Sequence, residues 1–201
     1  MLDAQARPIK SFDTVSSIRT VGNIVLSQLD EVQIPQLAEL ARDAIGPDIA
    51  STDVFKRVLE HNAECCWVVY KRPEDDPFSH RLIGFTAFLL LNQRGHAAVR
   101  RDAFIGKDPD TSMLCANDEP PSALYWWASV AQRSTAQTLP RVVRTLQGPR
   151  YRNLDIYTRP GTPHGARIIA NLGFEPVLPG RTGAIGDLMV YRRMAALRLA
   201  S

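Results

Sequence analysis

The sequence predicts an α/β (α+β) fold, a mixed and mostly antiparallel sheet of about six or seven strands flanked by helices. Three observations predict it. Amphipathic helical patterns alternate with short β-branched and aromatic runs. Two apolar runs, 66–71 and 81–92, flank a polar stretch with two prolines and read as a hairpin. The second half holds a strand–helix–strand–helix–strand unit, which sets parallel strands into a mixed sheet.

In chain order, residues 1–19 form an N-terminal extension and 20–201 a single domain with an insertion at about 93–121. Residues 20–29 (TVGNIVLSQL) combine partial alternation with β-branched content and read as the first strand. Asp30 and Gln33 have capping spacing, and Pro35 is tolerated in a first turn. Leu37, Leu40, Ala41, Ala44 and Ile45 then recur at helical spacing until Gly46-Pro47. Ser51 or Thr52 caps a second helix whose apolar face is Val54, Phe55, Val58 and Leu59. The hairpin follows, and the continuous apolar run in 81–92 predicts burial on both faces.

Residues 93–121 are rich in Asp, Gly and Pro and are expected to form a substrate-facing insertion with a short helix or an extra strand. Residues 122–131 (SALYWWASVA) are a strand, and 132–138 a small polar turn. Ser134 and Gln137 repeat the capping spacing before a helix carrying Val142, Val143 and Leu146; Pro140 delays or kinks it, and Gly148-Pro149 ends it. A strand at 153–158, a helix at 163–172 and strands at 174–178 and 185–194 complete the chain.

Hydrophobic residues make up 45% and charged residues 22%, an ordinary globular balance. A net charge of +3 favours a phosphorylated ligand but falls short of a nucleic-acid footprint, and Arg100-Arg101 suits solvated surface. The apolar run near 85–91 is too short to span a bilayer, and MLDAQARPIKSFD has no secretory pattern. Cys65, Cys66 and Cys115 fit no disulfide framework and no zinc spacing, so a cytoplasmic setting is expected, with Cys65-Cys66 opening a buried strand. Trp67, Trp126 and Trp127 read as core or cleft walls; alternation puts Trp126 and Trp127 on opposite faces, leaving one to line a groove.

Two short motifs carry a resemblance. Arg81-Leu82-Ile83-Gly84-Phe85 looks like a third strand with an "iGf" step, and Leu172-Gly173-Phe174 like the "LGF" that closes a fourth helix. In this order and separation, residues 20–194 resemble the GCN5-related N-acetyltransferase superfamily. That resemblance implies transfer of an acyl group from acetyl-CoA or another acyl-CoA, as co-substrate, to a primary amine by direct attack in a ternary complex. Small-molecule or peptide amines are the implied acceptors, with a homodimer compatible. An acyl-carrier protein is an alternative donor, for which Arg100, Arg101 and Lys107 would form a docking face.

The superfamily's pyrophosphate loop aligns on Arg133, Ser134, Thr135, Ala136, Gln137 and Thr138, where amides at a helix N-terminus would hold the anion. Ala136 and Thr138 stand at its small positions, and neither glycine is present. Ser129 and Val130 would pair with the pantetheine arm. Thr162 takes the superfamily's asparagine position, and Gly165 its small one. Its acidic tyrosine is replaced by Ile169, which can neither donate nor accept a proton. Tyr157 is a substitute acid or a packing residue. Glu119 and Asp155 are candidate bases or solvated carboxylates, beside the loop histidines His96 and His164. The same fold without turnover, as a CoA-binding, ligand-binding or protein-interaction module, is the alternative from a different class.

Overall fold

The computed structural model describes residues 19–21, 24–29, 31–71, 81–131 and 146–193. In chain order they form β1 (Arg19–Val21), β2 (Ile24–Gln28), α1 (Ile34–Ile45), α2 (Thr52–His61), β3 (Cys66–Lys71), β4 (Arg81–Leu91) and α3 (Gln93–Arg100). Then come β5 (Ala123–Ala131), β6 (Ile156–Thr158), α4 (Pro163–Asn171), β7 (Glu175–Pro176) and β8 (Met189–Tyr191). One eight-stranded sheet joins them in the order β1-β2-β3-β4-β5-β6-β8-β7. It is the mixed sheet expected from sequence, with β5–β6 parallel and its other ladders antiparallel. The strand count reaches eight because the stretch read as one first strand divides, with Val21 opposite Ile24.

α1, α2 and α4 form where sequence spacing places them, while the helix expected to carry Val142 and Val143 lies outside the described residues. α1 begins at Ile34 behind a 3-10 turn at Glu31–Gln33, carries Pro35 in its first turn, and buries Ile34, Leu37, Ala38 and Ala41. Ser51 caps α2 by accepting from the Val54 amide, and Val54, Phe55, Val58 and Leu59 are its buried face. Cys66 opens β3 as expected, and β3 pairs with β4. Among the described residues no helix is long and apolar enough to cross a membrane.

The sheet separates two cores. On one side α1, α2 and α3 pack over Phe85, Ala87, Leu89, Leu91, Tyr125 and Tyr157. On the other, Ile169 and Phe174 join Leu124, Trp126, Leu146 and Ile156. A bulge in β5 falls at Trp127, since Ala87 pairs with Ala128 and Phe88 with Trp126. Trp126 therefore stacks on Phe88 in the second core, while Trp127 stacks on Phe55 at 4.4 Å on the first.

The Leu172-Gly173-Phe174 motif has a backbone reason. Gly173 sits at φ +84°, its amide reaches the Ala170 carbonyl, and the Phe174 amide reaches Ile169. That is the Schellman pattern that ends a helix with a left-handed residue, where glycine bears no Cβ penalty. Phe174 then folds back into the core that holds Ile169.

Residues 93–121 contain the expected short helix, α3, capped by the Asn92 side chain on the Gly95 amide. A 3-10 turn at Thr111–Met113 and an isolated bridge from Leu114 to Leu91 return the chain along β4. α3 ends in the same Schellman pattern as α4, with Asp102 bonded to the Val99 carbonyl and Ala103 to Ala98. The left-handed slot, φ +61°, holds Asp102 rather than glycine.

Candidate active site

The parallel ladder between β5 and β6 stops early. Leu124, Tyr125 and Trp126 pair with Ile156, Tyr157 and Thr158, yet β5 runs on to Ala131. Over 127–131 its other edge pairs with β4, whereas no described strand lies on the β6 side. Among the described residues nothing pairs with the backbone along that edge, which suits another extended group. Ser129 and Val130 lie on this stretch. The Ser129 hydroxyl meets Thr86 at 2.9 Å and Val130 is buried.

Tyr157 and Tyr125 stand opposite each other in the middle of that ladder, one pair before it ends at Trp126 and Thr158. Tyr157 is 2% exposed, and its hydroxyl lies 3.1 Å from His96 Nε2. His96 sits in the first turn of α3, a helix, where sequence reading had a loop. Burial lowers its proton affinity and Arg100 adds to that, against the opposing charge of Asp155. Burial and Asp155 raise the Tyr157 phenol. Burial also pushes the Tyr125 phenol up to about 12, with Arg159 pulling the other way. Both phenols hold their protons at neutral pH and can donate them.

The remaining sequence candidates scatter. Asp155 immediately precedes β6 and accepts the Arg193 amide at 3.1 Å, while its charge acts on His96 and Tyr157. Glu119 closes the turn before β5 by accepting from Ala116. Both carboxylates lie at the Ala123 end of β5, Asp155 through the Leu124 amide on its carbonyl, and from Ala123 to Ser129 a strand advances about 20 Å. Thr162 caps α4 by accepting from the Gly165 amide, and His164 is exposed in that first turn. Ile169 is the buried residue of α4, a core side chain where the resembled superfamily has an acid. Arg133, Ser134, Thr135, Ala136, Gln137 and Thr138 lie outside the described residues.

Sequence reasoning missed the charged groups just past β6. Arg159 pairs with Asp102 and donates to the Gly186 carbonyl at 2.8 Å, tying the insertion to the β7–β8 connection. Trp127 Nε1 donates to Gly106 at 2.6 Å, and Lys107 pairs with Asp48 in the α1–α2 connection. No spacing rule connects these positions. They meet because α3 turns the chain back over the sheet.

No family model matches the sequence, and no curated protein matches it significantly. Solved structures do. Arabidopsis thaliana NAA60 in complex with acetyl-CoA is 19% identical, with a TM-score of 0.52 over 84% of this chain and 97% of that one. GphF, a GNAT-like decarboxylase in complex with isobutyryl-CoA, is 12% identical at TM-score 0.52 over 82% and 96%. The chain has the GCN5-related N-acetyltransferase fold.

Proposed function

We propose that the chain is an acyl-CoA-dependent N-acyltransferase, moving an acetyl or similar group to a primary amine by direct attack in a ternary complex. The observation that carries this reading is the edge of β5 at 127–131 that no described strand covers, beside a parallel partner that ends at Thr158. It suits the amide groups of a pantetheine arm, with Ser129 and Val130 at its centre. Arg133, Ser134, Thr135, Ala136, Gln137 and Thr138 would supply amides and one guanidinium to the pyrophosphate, and Thr162 is a further candidate contact. Similar folds that hold acetyl-CoA and isobutyryl-CoA support the choice of ligand. The decarboxylase among them shows that the fold alone does not fix the reaction.

In this reading a neutral amine attacks the thioester carbonyl, the amine proton passes to a base, and the departing thiolate takes a proton. Tyr157 is the proposed acid, held in place by its hydrogen bond with His96, because Ile169 carries no proton. Of the two carboxylates proposed as base, Asp155 is favoured, since its charge acts on Tyr157 and His96, whereas Glu119 is engaged by the Ala116 amide. Three free, buried cysteines suit a reducing, cytoplasmic setting.

Calorimetric titration with acetyl-CoA, isobutyryl-CoA and acyl-carrier protein tests the donor. Micromolar acyl-CoA binding followed by release of free thiol on adding an amine is the expected result. No heat at millimolar acyl-CoA sinks the reading. Binding without transfer to any amine favours the non-catalytic module.

A further inference from the structure

A cleft of about 240 Å³ opens beside the end of β6, with Asp102 of the insertion on one wall. It lies next to Thr158, where the β5–β6 ladder ends. Four charged side chains line it: Asp102, Arg159, Arg181 and Asp187. Leu178, Ile185 and Leu188 supply its apolar part.

The two cations are not equivalent. Arg159 is fully engaged, by Asp102 at one nitrogen and the Gly186 carbonyl at another, and each member of the Asp102–Arg159 pair is only 28% exposed. It is a clamp. Arg181 is 59% exposed, and its nearest anion, Asp187, lies at 3.6 Å, beyond hydrogen-bond range. Asp187 is 11% exposed and spends its other oxygen on the Ala184 amide. Among the described residues the Arg181 guanidinium has no hydrogen bond, so its planar fork is available for a carboxylate.

The lining carries two positive and two negative groups set side by side, Arg159 against Asp102 and Arg181 3.6 Å from Asp187, next to an apolar patch. Such a lining complements a ligand with one charge of each sign better than a ligand of single charge. Its volume lies below the roughly 300 Å³ at which drug-sized pockets begin. The 102–107 segment that carries the Asp102 wall is tied down at Arg159, at Trp127 and at Asp48.

Building on the acyl-transfer reading, we propose that this cleft is the acceptor site and that its ligand is a small zwitterionic amine, an amino acid with an apolar side chain. Arg181 holds the ligand carboxylate, Asp187 beside it supplies the negative charge for the ammonium, the Asp102–Arg159 clamp fixes the wall, and Leu178 and Ile185 cover the side chain.

The test titrates the full chain with L-leucine, with 3-methylbutylamine (the same molecule without its carboxylate) and with a leucine-initiated tetrapeptide amide. Each titration is run with and without acetyl-CoA. Wild type should bind L-leucine roughly tenfold or more tighter than the amine, the worth of one charged hydrogen-bonded contact. Arg181→Gln should bring that ratio within about threefold, and Arg181→Lys should fall between, because the charge survives and the fork does not. Equal affinities in wild type, preference for the peptide, or an Arg181→Gln variant with an unchanged ratio overturns the proposal. Acetyl-CoA binding without L-leucine binding sinks the acceptor assignment and leaves acyl transfer standing. L-leucine binding that depends on Arg181, in a protein that ignores acetyl-CoA, does the reverse.

Discussion

His96 and the hydroxyl of Tyr157, 61 positions apart in sequence, meet at 3.1 Å and join the insertion helix to β6. Burial, then Arg100, lowers the proton affinity of this imidazole below its ordinary 6.5. The unfolded chain therefore takes up a proton first as pH falls through 6.5, and the folded state loses stability until its own ring is protonated. Above 6.5 both rings are neutral and the effect vanishes. Urea midpoints at pH 7.5 and 5.5 should show a smaller drop for His96→Gln than for wild type. An identical drop would mean that this ring titrates normally.

Tyr157→Phe removes one hydroxyl from a buried pair and should cost about 1 kcal/mol of stability. If Tyr157 is the acid, kcat should fall roughly a hundredfold while KM moves little. Tyr125→Phe, made alongside, reports what loss of the neighbouring phenol does. A Tyr157→Phe enzyme within threefold of wild-type kcat removes Tyr157 from the mechanism.

Gly95→Ala sets two effects against each other. Alanine favours a helix interior by about 1 kcal/mol. A Cβ at this position, however, would stand 2.1 Å from the Met113 carbonyl oxygen, a backbone atom. Displacing that turn costs more than the propensity gains, so a net loss of about 2 kcal/mol is expected in chemical denaturation. Stabilisation would show that the turn after α3 moves freely.

Ile169→Tyr restores the residue type of the resembled superfamily in a position that is 6% exposed. The larger ring overfills the core at about 1–3 kcal/mol and carries in a hydroxyl that needs a partner. A lower melting temperature and no gain in acyl transfer are expected. Faster transfer would mean that the side chain reaches the 127–131 edge of β5.

Asp102 occupies a left-handed slot that costs a non-glycine residue about 1 kcal/mol. Asp102→Ala loses the pair with Arg159 and keeps that cost, whereas Asp102→Gly loses the pair and sheds it. The glycine variant should be the more stable of the two by about 1 kcal/mol in urea. Equal stabilities would mean that the turn relaxes in both.

Most of the fold was legible because its signals are local. Ser51 caps as expected, and Gly173 is where a left-handed helix end must be. α3 was harder to read, since QRGHAAVR is polar, holds a glycine, and gives its core only Gly95, Ala98 and Val99. Its stability comes from the Asn92 cap and from packing against distant strands, which no window of sequence contains. The site was less legible still. Tyr157 could be named because it sits in a strand, but its partner His96 looked like a loop residue. Arg159, Asp102 and Arg181 come from three segments and converge only after folding.

The bulge at Trp127 gives the protein its own optical readout. Of the three tryptophans, Trp67 and Trp126 belong to one core, and Trp127 faces the other with its indole nitrogen bonded to the insertion. In a Trp67→Phe, Trp126→Phe background all indole emission would come from a single ring that touches both α2 and the insertion. Anything that lifts the insertion from the sheet would then appear as a red shift, without a label and without knowledge of the substrate.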